Sequence, residues 1–237
     1  MNIEISQRIE GAKQAKGLVV IIDVFRAFST ACYIINGGAK KIIPIGDIEI
    51  AYQLKKENPN FILIGESNGY IQPGFDFGNS PFQIRNFDFS GKTVVYTTST
   101  GTQGIANAKN AEEILTGSFV NTGAIIDYIK SKNPENVSLI CTGTANETIL
   151  DEDAVCARYI KNALIGKPDD FMKIIDHLKT KGFANPFFDP KRESHPVEDF
   201  DLCMTLDKFN FVLKVEPYKD NLVYLRKIES KGFVAKE

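Results

Sequence analysis

"GLVVIIDV", residues 17–24, decides the reading of the fold. Five consecutive aliphatic residues, Leu18 to Ile22, show no polar alternation, so the strand they predict is covered on both faces. Such strands belong to parallel sheets sandwiched between helix layers. Residues 27–35 then carry a helical pattern that stops at Asn36-Gly37-Gly38.

The same alternation continues along the chain. "KKIIPIG" (40–46) predicts a second strand, with Pro44 pointing to a sheet edge or a bulge. Asp47 caps a helix that runs to Lys56. "FILIG" (61–65), "KTVVYTT" (92–98), "EEILTGS" (112–118) and "VSLICTG" (137–143) predict further strands. Helices follow near 103–109, up to Lys132, and over 151–164. This βα wiring predicts an α/β fold, a three-layer α/β/α sandwich whose sheet is largely parallel or mixed.

Past Pro168 the wiring changes. "DDFMKIIDHLKTKG" and "VEDFDLCMTLDKFN" read as helices around the Pro- and Phe-rich "FANPFFDPKRESHP", and "FVLKVEPYKDNLVYLRKIE" reads as a hairpin. With no long linker, residues 1–237 form one domain: a βα core over 1–167 and a C-terminal helical and hairpin extension over 168–237 packed on it.

Composition narrows the function. A net charge of -2, from 28 basic and 30 acidic residues, argues against a nucleic-acid binder. No apolar run approaches the roughly 18 residues of a membrane span. The first residues lack the apolar core of a secretory signal. Cys32, Cys141, Cys156 and Cys203 show no CxxC spacing, which argues against a zinc site or a redox pair. The expectation is a cytoplasmic protein with no membrane or nucleic-acid partner, acting alone or as a homo-oligomer.

Ligands of open α/β sheets bind beyond the carboxyl ends of the strands, where helix N-termini also point. The strand exits here are rich in acids, hydroxyls and glycine. The first delivers Asp23, then Arg26, Ser29 and Thr30; the third delivers Glu66, Ser67 and Asn68. The fourth delivers Thr97, Thr98, Ser99, Thr100, Gly101 and Thr102; the fifth Ser118 and Asn121; the sixth Thr142, Gly143, Thr144 and Asn146, then Glu152 and Asp153. Each alone has a structural reading as a helix cap or a dipole partner. His177 reads as a helix-surface residue and His195-Pro196 as a turn.

Hydroxyls and N–H groups at helix starts suit phosphate or sulfonate oxygens, and carboxylates without His or Cys suit a hard cation such as Mg²⁺. Together they point to metal-assisted phosphoryl transfer to water. Familiar phosphatase signatures are absent. Phe25 stands where an Asp-x-Asp motif starting at Asp23 needs its second acid, and Glu147 stands where a Cys141-x5-Arg loop needs arginine. There is no Walker A loop, and "STGTQG" is not a G-x-G-x-x-G fingerprint.

One order of motifs is distinctive: "VVIIDVFRAFST", "GESNG", "GFDFGNSP", "TTSTGT", "GSFVN" and "EDAVCA". At these intervals the chain resembles the 2-phosphosulfolactate phosphatase family, well over about residues 17–165 and loosely beyond. "GFDFGNSP" (74–81) is the most specific element. Two positions depart from the family pattern: Ser67 stands where arginine is usual, and Thr100 where asparagine is usual.

The resemblance implies a Mg²⁺-dependent hydrolysis of 2-phosphosulfolactate to sulfolactate and phosphate, a step of coenzyme M biosynthesis. It implies metal binding by some of Asp23, Glu66, Asp76, Glu152 and Asp153. Asp23 and Arg26 are the catalytic candidates, with either Asp23 or a water as the attacking group. Ser67, Asn79, Ser80, Thr98, Ser99, Thr100, Gly101, Thr102 and Ser118 are the substrate-binding candidates. In the loop 73–87, Asn79 and Ser80 would cap a short helix begun by Pro81 and leave N–H groups for an anion, while Phe75, Phe77 and Phe82 anchor the loop. A substrate with three anionic groups needs more cations than Arg26; Arg85, Arg158, Lys191 and Arg192 are available. Three alternatives stay open: a non-catalytic binder of sulfonated or phosphorylated metabolites, a phosphatase for a different small phosphoester, and a hydrolase with Ser99 or Ser118 as nucleophile. The last lacks a G-x-S-x-G elbow.

Overall fold

The computed structural model describes residues 1–143, 151–181, 184–230 and 232. Strands are β1 Asn2–Gln7, β2 Gly17–Ile22, β3 Lys41–Pro44, β4 Ile62–Gly65, β5 Thr93–Thr97, β6 Ala111–Gly117, β7 Asn136–Cys141, β8 Phe211–Pro217 and β9 Val223–Glu229. Helices are α1 Arg8–Gln14, α2 Ala27–Asn36, α3 Ile48–Glu57, α4 Pro81–Ile84, α5 Gly101–Asn107, α6 Thr122–Lys132, α7 Glu152–Leu164, α8 Phe171–Thr180, α9 Asn185–Phe188 and α10 Val197–Cys203. Among the described residues the strands form one sheet in the order β1-β7-β2-β6-β8-β9-β3-β5-β4.

β2 is buried on both faces, as its unbroken aliphatic run requires. Leu18, Val20 and Ile22 pack into a core closed by α6, α7 and α8. Val19 and Ile21 point the other way, into a core closed by α1, α2 and α5. A third core joins α3, through Ala51 and Leu54, to Ile43, Leu63 and Val95. The pairings β1–β7, β7–β2 and β2–β6 are parallel, and so are β3–β5 and β5–β4, so carboxyl ends share one side within each of these two groups.

Two features differ from the sequence expectation. The hairpin β8–β9 does not lie on the sheet but inside it, antiparallel to β6 on one side and to β3 on the other. The sheet is therefore mixed at its centre. β3 is accordingly an interior strand despite Pro44. Ile45 N–H donates to Tyr96 O at 2.8 Å, so by alternation the donor missing at Pro44 would have pointed toward β9. There the pairing is reduced to Ile42 with Leu225. Among the described residues no helix is long and apolar enough to cross a membrane.

Candidate active site

Asp23 leaves β2 at the centre of the parallel half of the sheet and is 4% exposed. Its Oδ1 accepts the Ala27 N–H at 2.8 Å, which ties it to the start of α2. Its Oδ2 accepts Thr100 Oγ1 at 2.9 Å from the turn after β5. Thr142 Oγ1, after β7, stands 3.2 Å from the same oxygen and 3.1 Å from Ile22 O, with one proton for both. Three strand exits therefore meet on one carboxylate. Burial raises its pKa, the Ala27, Thr100 and Thr142 bonds oppose that rise, and Glu66 adds to it.

The approach of the β5 turn depends on Gly101. A Cβ there would lie 2.8 Å from Ala27 Cβ and 2.9 Å from Asp23 Oδ2. The turn is braced internally, Thr98 N–H donating to Thr102 Oγ1 and Thr102 N–H to Thr98 Oγ1, both at 3.2 Å. Glu66 braces it from β4: Oε1 accepts Ser99 N–H at 2.8 Å, and Oε2 accepts Ser99 Oγ at 3.0 Å and Gly69 N–H at 2.6 Å. Ser67 lies beside it, in a cavity of about 770 Å³ shared with Glu66, Thr97, Thr98 and Ser99.

The start of α7 adds acids. Asp153 accepts Val24 N–H through Oδ1 at 2.8 Å, and Thr142 and Gly143 N–H through Oδ2 at 3.1 and 2.9 Å. It pins the β2 and β7 exits together, and both of its oxygens accept protein donors. Gly143 is hemmed in: a Cβ would collide with Asp151 Oδ2. Burial raises Asp153 well above the usual range, and Asp23, Glu152 and Asp151 reinforce it. Glu152 is pushed up to about 8 by burial and then by Asp151 and Asp23. Thr144 and Asn146 lie outside the described residues.

The loop 73–87 and Arg26 meet through a residue the sequence reading did not single out. Asp199 of α10 is fully buried; Oδ2 accepts Arg26 Nη1 at 2.7 Å, and Oδ1 accepts Ser80 Oγ at 2.8 Å and Phe82 N–H at 2.9 Å. Ser80 does cap α4, receiving Gln83 N–H at 3.3 Å. The N–H of Phe82, expected to face a ligand, instead serves Asp199. Burial raises the Asp199 carboxyl, and Arg26, Phe82 and Ser80 oppose that rise. Arg26 Nη1 also donates to Ser194 O at 2.7 Å, while Nε and Nη2 have no hydrogen-bond partner among the described residues.

Other candidates lie apart from this group. Asp76 turns to the strand edge, its Oδ2 accepting Leu63 N–H at 2.8 Å and pairing with Lys55 at 3.2 Å. Ser118 is fully buried against Ser29 and caps a 3-10 turn over 119–121. Asn79 Oδ1 stands 2.6 Å from the Tyr96 hydroxyl, inside the fold. Phe75 and Phe77 do anchor their loop, but Phe82 is half-buried beneath the Arg85 guanidinium. Arg158 lies near Asp169 at 4.0 Å. His195 is half-buried, with Nδ1 2.9 Å from Ser194 Oγ. Burial, then Arg26 and Arg192, lower its pKa from 6.5 to about 4, against Glu66.

Beside Thr100 and Thr142 lies a cavity of about 250 Å³, lined by Arg8, Glu10, Ser99, Thr100, Thr142 and Gly143. Arg8 opens α1, directly after the edge strand β1. The alternation Ile3, Ile5 between Asn2, Glu4 and Ser6 was the sequence signal for that strand. For Asp199 the signal was its i, i+4 spacing to buried Cys203, which places an acid on an apolar helix face.

The family model for 2-phosphosulpholactate phosphatase matches residues 3–217. A relative from Caldanaerobacter subterraneus, described as "Probable 2-phosphosulfolactate phosphatase", is 31% identical over 84% of this chain and 87% of its own. One from Clostridium tetani with the same description is 32% identical over 94% of this chain and 100% of its own. Another from Caldicellulosiruptor saccharolyticus is 38% identical over 70% and 72%. The match takes in all the strand exits converging on Asp23 and the helix that carries Asp199: the chain belongs to the 2-phosphosulfolactate phosphatase family of phosphoric monoester hydrolases.

Proposed function

We propose that this protein is a Mg²⁺-dependent phosphatase that hydrolyses 2-phosphosulfolactate, or a closely related small phosphorylated organic acid, to sulfolactate and phosphate. The observation that carries the reading is the meeting of three strand exits on one buried carboxylate, Asp23, in a chain of this family. Four buried, unpaired cysteines suit the reducing cytoplasm as its place of action.

The donor set suits a hard cation. After burial, Asp151 and Asp23 raise the proton affinity of Glu152 and Glu66 raises that of Asp23, the behaviour of acids that a positive ion would relieve. Among the described residues no group of three or more acids, histidines or cysteines could hold a metal ion. Mg²⁺ does not need one, since it is commonly held by one or two carboxylates, waters and substrate phosphate. Asp23 and Glu152 would hold it here. When bound, it supplies charge neutralisation at the phosphoryl oxygens.

The protein's own groups do the rest. Arg26, fixed through Nη1, offers Nε and Nη2 to an anion. Ser99, Thr100 and Gly101 form the rim over Asp23. Water is the favoured attacking group, because Asp23 is covered by this rim and bonded through both oxygens. The test is phosphate release from phosphosulfolactate, phospholactate and phosphoglycerate, with Mg²⁺ and then with EDTA. Mg²⁺-dependent release fastest from the sulfonated ester is expected. Tight binding without release from any of them would leave a metabolite-binding protein instead.

A further inference from the structure

A second cavity, of about 670 Å³, opens next to Arg26 and falls in the size range of small-molecule sites. The C-terminal segment walls one side with Lys191, Arg192, Ser194 and His195; Asn68 and Gln83 face them. Both walls hang from the site already described. Ser194 O is held by Arg26 Nη1, Asn68 N–H donates to Ser99 Oγ at 3.0 Å, and Gly69 N–H donates to Glu66.

The cavity is built for an anion. It holds two cations against one acid, Glu193. Arg192 is only loosely engaged: its Nε stands 3.8 Å from Asp189, and both side chains are more than 40% exposed. Burial first, then Arg26 and Arg192, lower the proton affinity of His195 at that wall, against Glu66. Neutral donors on Asn68, Gln83 and Ser194 complete the set.

We propose that this cavity is the subsite for the substrate's sulfonate, with Lys191 and Arg192 as its specificity-determining cations; the inference rests on the phosphatase reading above. The bonding of the substrate selects the sulfonate over the carboxylate. The carboxylate sits on the carbon that bears the phosphate and must stay beside Arg26 and Asp23. The sulfonate reaches one carbon further, which suits a cavity behind Ser194 with three acceptor oxygens to satisfy.

The test compares the full-length wild type with the Lys191→Ala/Arg192→Ala double variant, in Mg²⁺, on phosphosulfolactate and on phospholactate, which lacks the sulfonate. The expected result is a rise in KM of about tenfold or more for phosphosulfolactate alone, with kcat within about twofold and an unchanged melting temperature. Arg192→Lys alone should restore part of the affinity. An equal change for both esters, or none, overturns the assignment. So does a sulfonate-specific rise in Arg8→Ala, which would move the subsite to the smaller cavity. If the wild type releases no phosphate, the phosphatase reading fails separately. Titration of sulfolactate into both proteins then decides the subsite: weaker binding by the double variant supports it, equal binding overturns it.

Discussion

Asp199 joins what the sequence keeps apart, since Arg26 lies 173 positions away and Ser80 119 positions away. Removing one partner of a buried ion pair costs about 3–5 kcal/mol, mostly because the other charge is left unpaired. Asp199→Ala should therefore lower stability by about that amount and impair turnover, as urea unfolding and phosphate release would read out; a loss under about 1 kcal/mol would contradict the pairing. His195 gives a pH prediction. Its folded pKa is lowered to about 4 from 6.5, so between those values the unfolded chain binds a proton that the folded chain refuses. Its contribution to stability is present above pH 6.5 and declines as pH falls toward 4. The stability difference between wild type and His195→Gln should shrink over that window, and a flat difference would contradict the assignment. Residues such as Asp23, Glu66 and Thr100 were legible because they sit at strand exits. Asp199 and His195 were not, because their partners are set by tertiary packing.

At the scale of elements, turns and caps do separate jobs. The β5–α5 turn can lie against Asp23 only without a side chain at Gly101. Gly101→Ala should cut kcat by tenfold or more through displacement of Thr100, with a modest change in melting temperature. Near-wild-type turnover would show that the turn does not position the site. Asp47 caps α3 by accepting Glu49 N–H at 2.9 Å, and the acid here is purely structural. Asp47→Ala should cost about 1 kcal/mol in denaturant unfolding and leave turnover unchanged. The cap was readable because its partner is two residues away. The expected role of the α4 start was misread for the opposite reason: the anion it receives is the protein's own Asp199, supplied from α10.

For the whole molecule, the βα wiring over residues 17–164 was readable from unbroken aliphatic runs and their capped helices, whereas β1 and α1 before it were not read. Placement of the β8–β9 hairpin was not, since its alternating pattern fits a strand pair on a sheet as well as one within it. In the fold it bridges β6 and β3 and joins the two parallel halves. A chain ending at Asn210 would leave both strands with unpaired edges, so it should be recovered as aggregate, whereas a well-folded monomer by circular dichroism would contradict this. The central claim is that the exits converge on Asp23 to hydrolyse a phosphoester. Asp23→Asn tests it most directly, because the amide keeps the shape and can still accept Ala27 N–H. Phosphate release from phosphosulfolactate should fall by two orders of magnitude or more while sulfolactate still binds, the scale of loss typical for a group acting in proton transfer or charge stabilisation. Undiminished release by the Asp23→Asn protein would contradict the account.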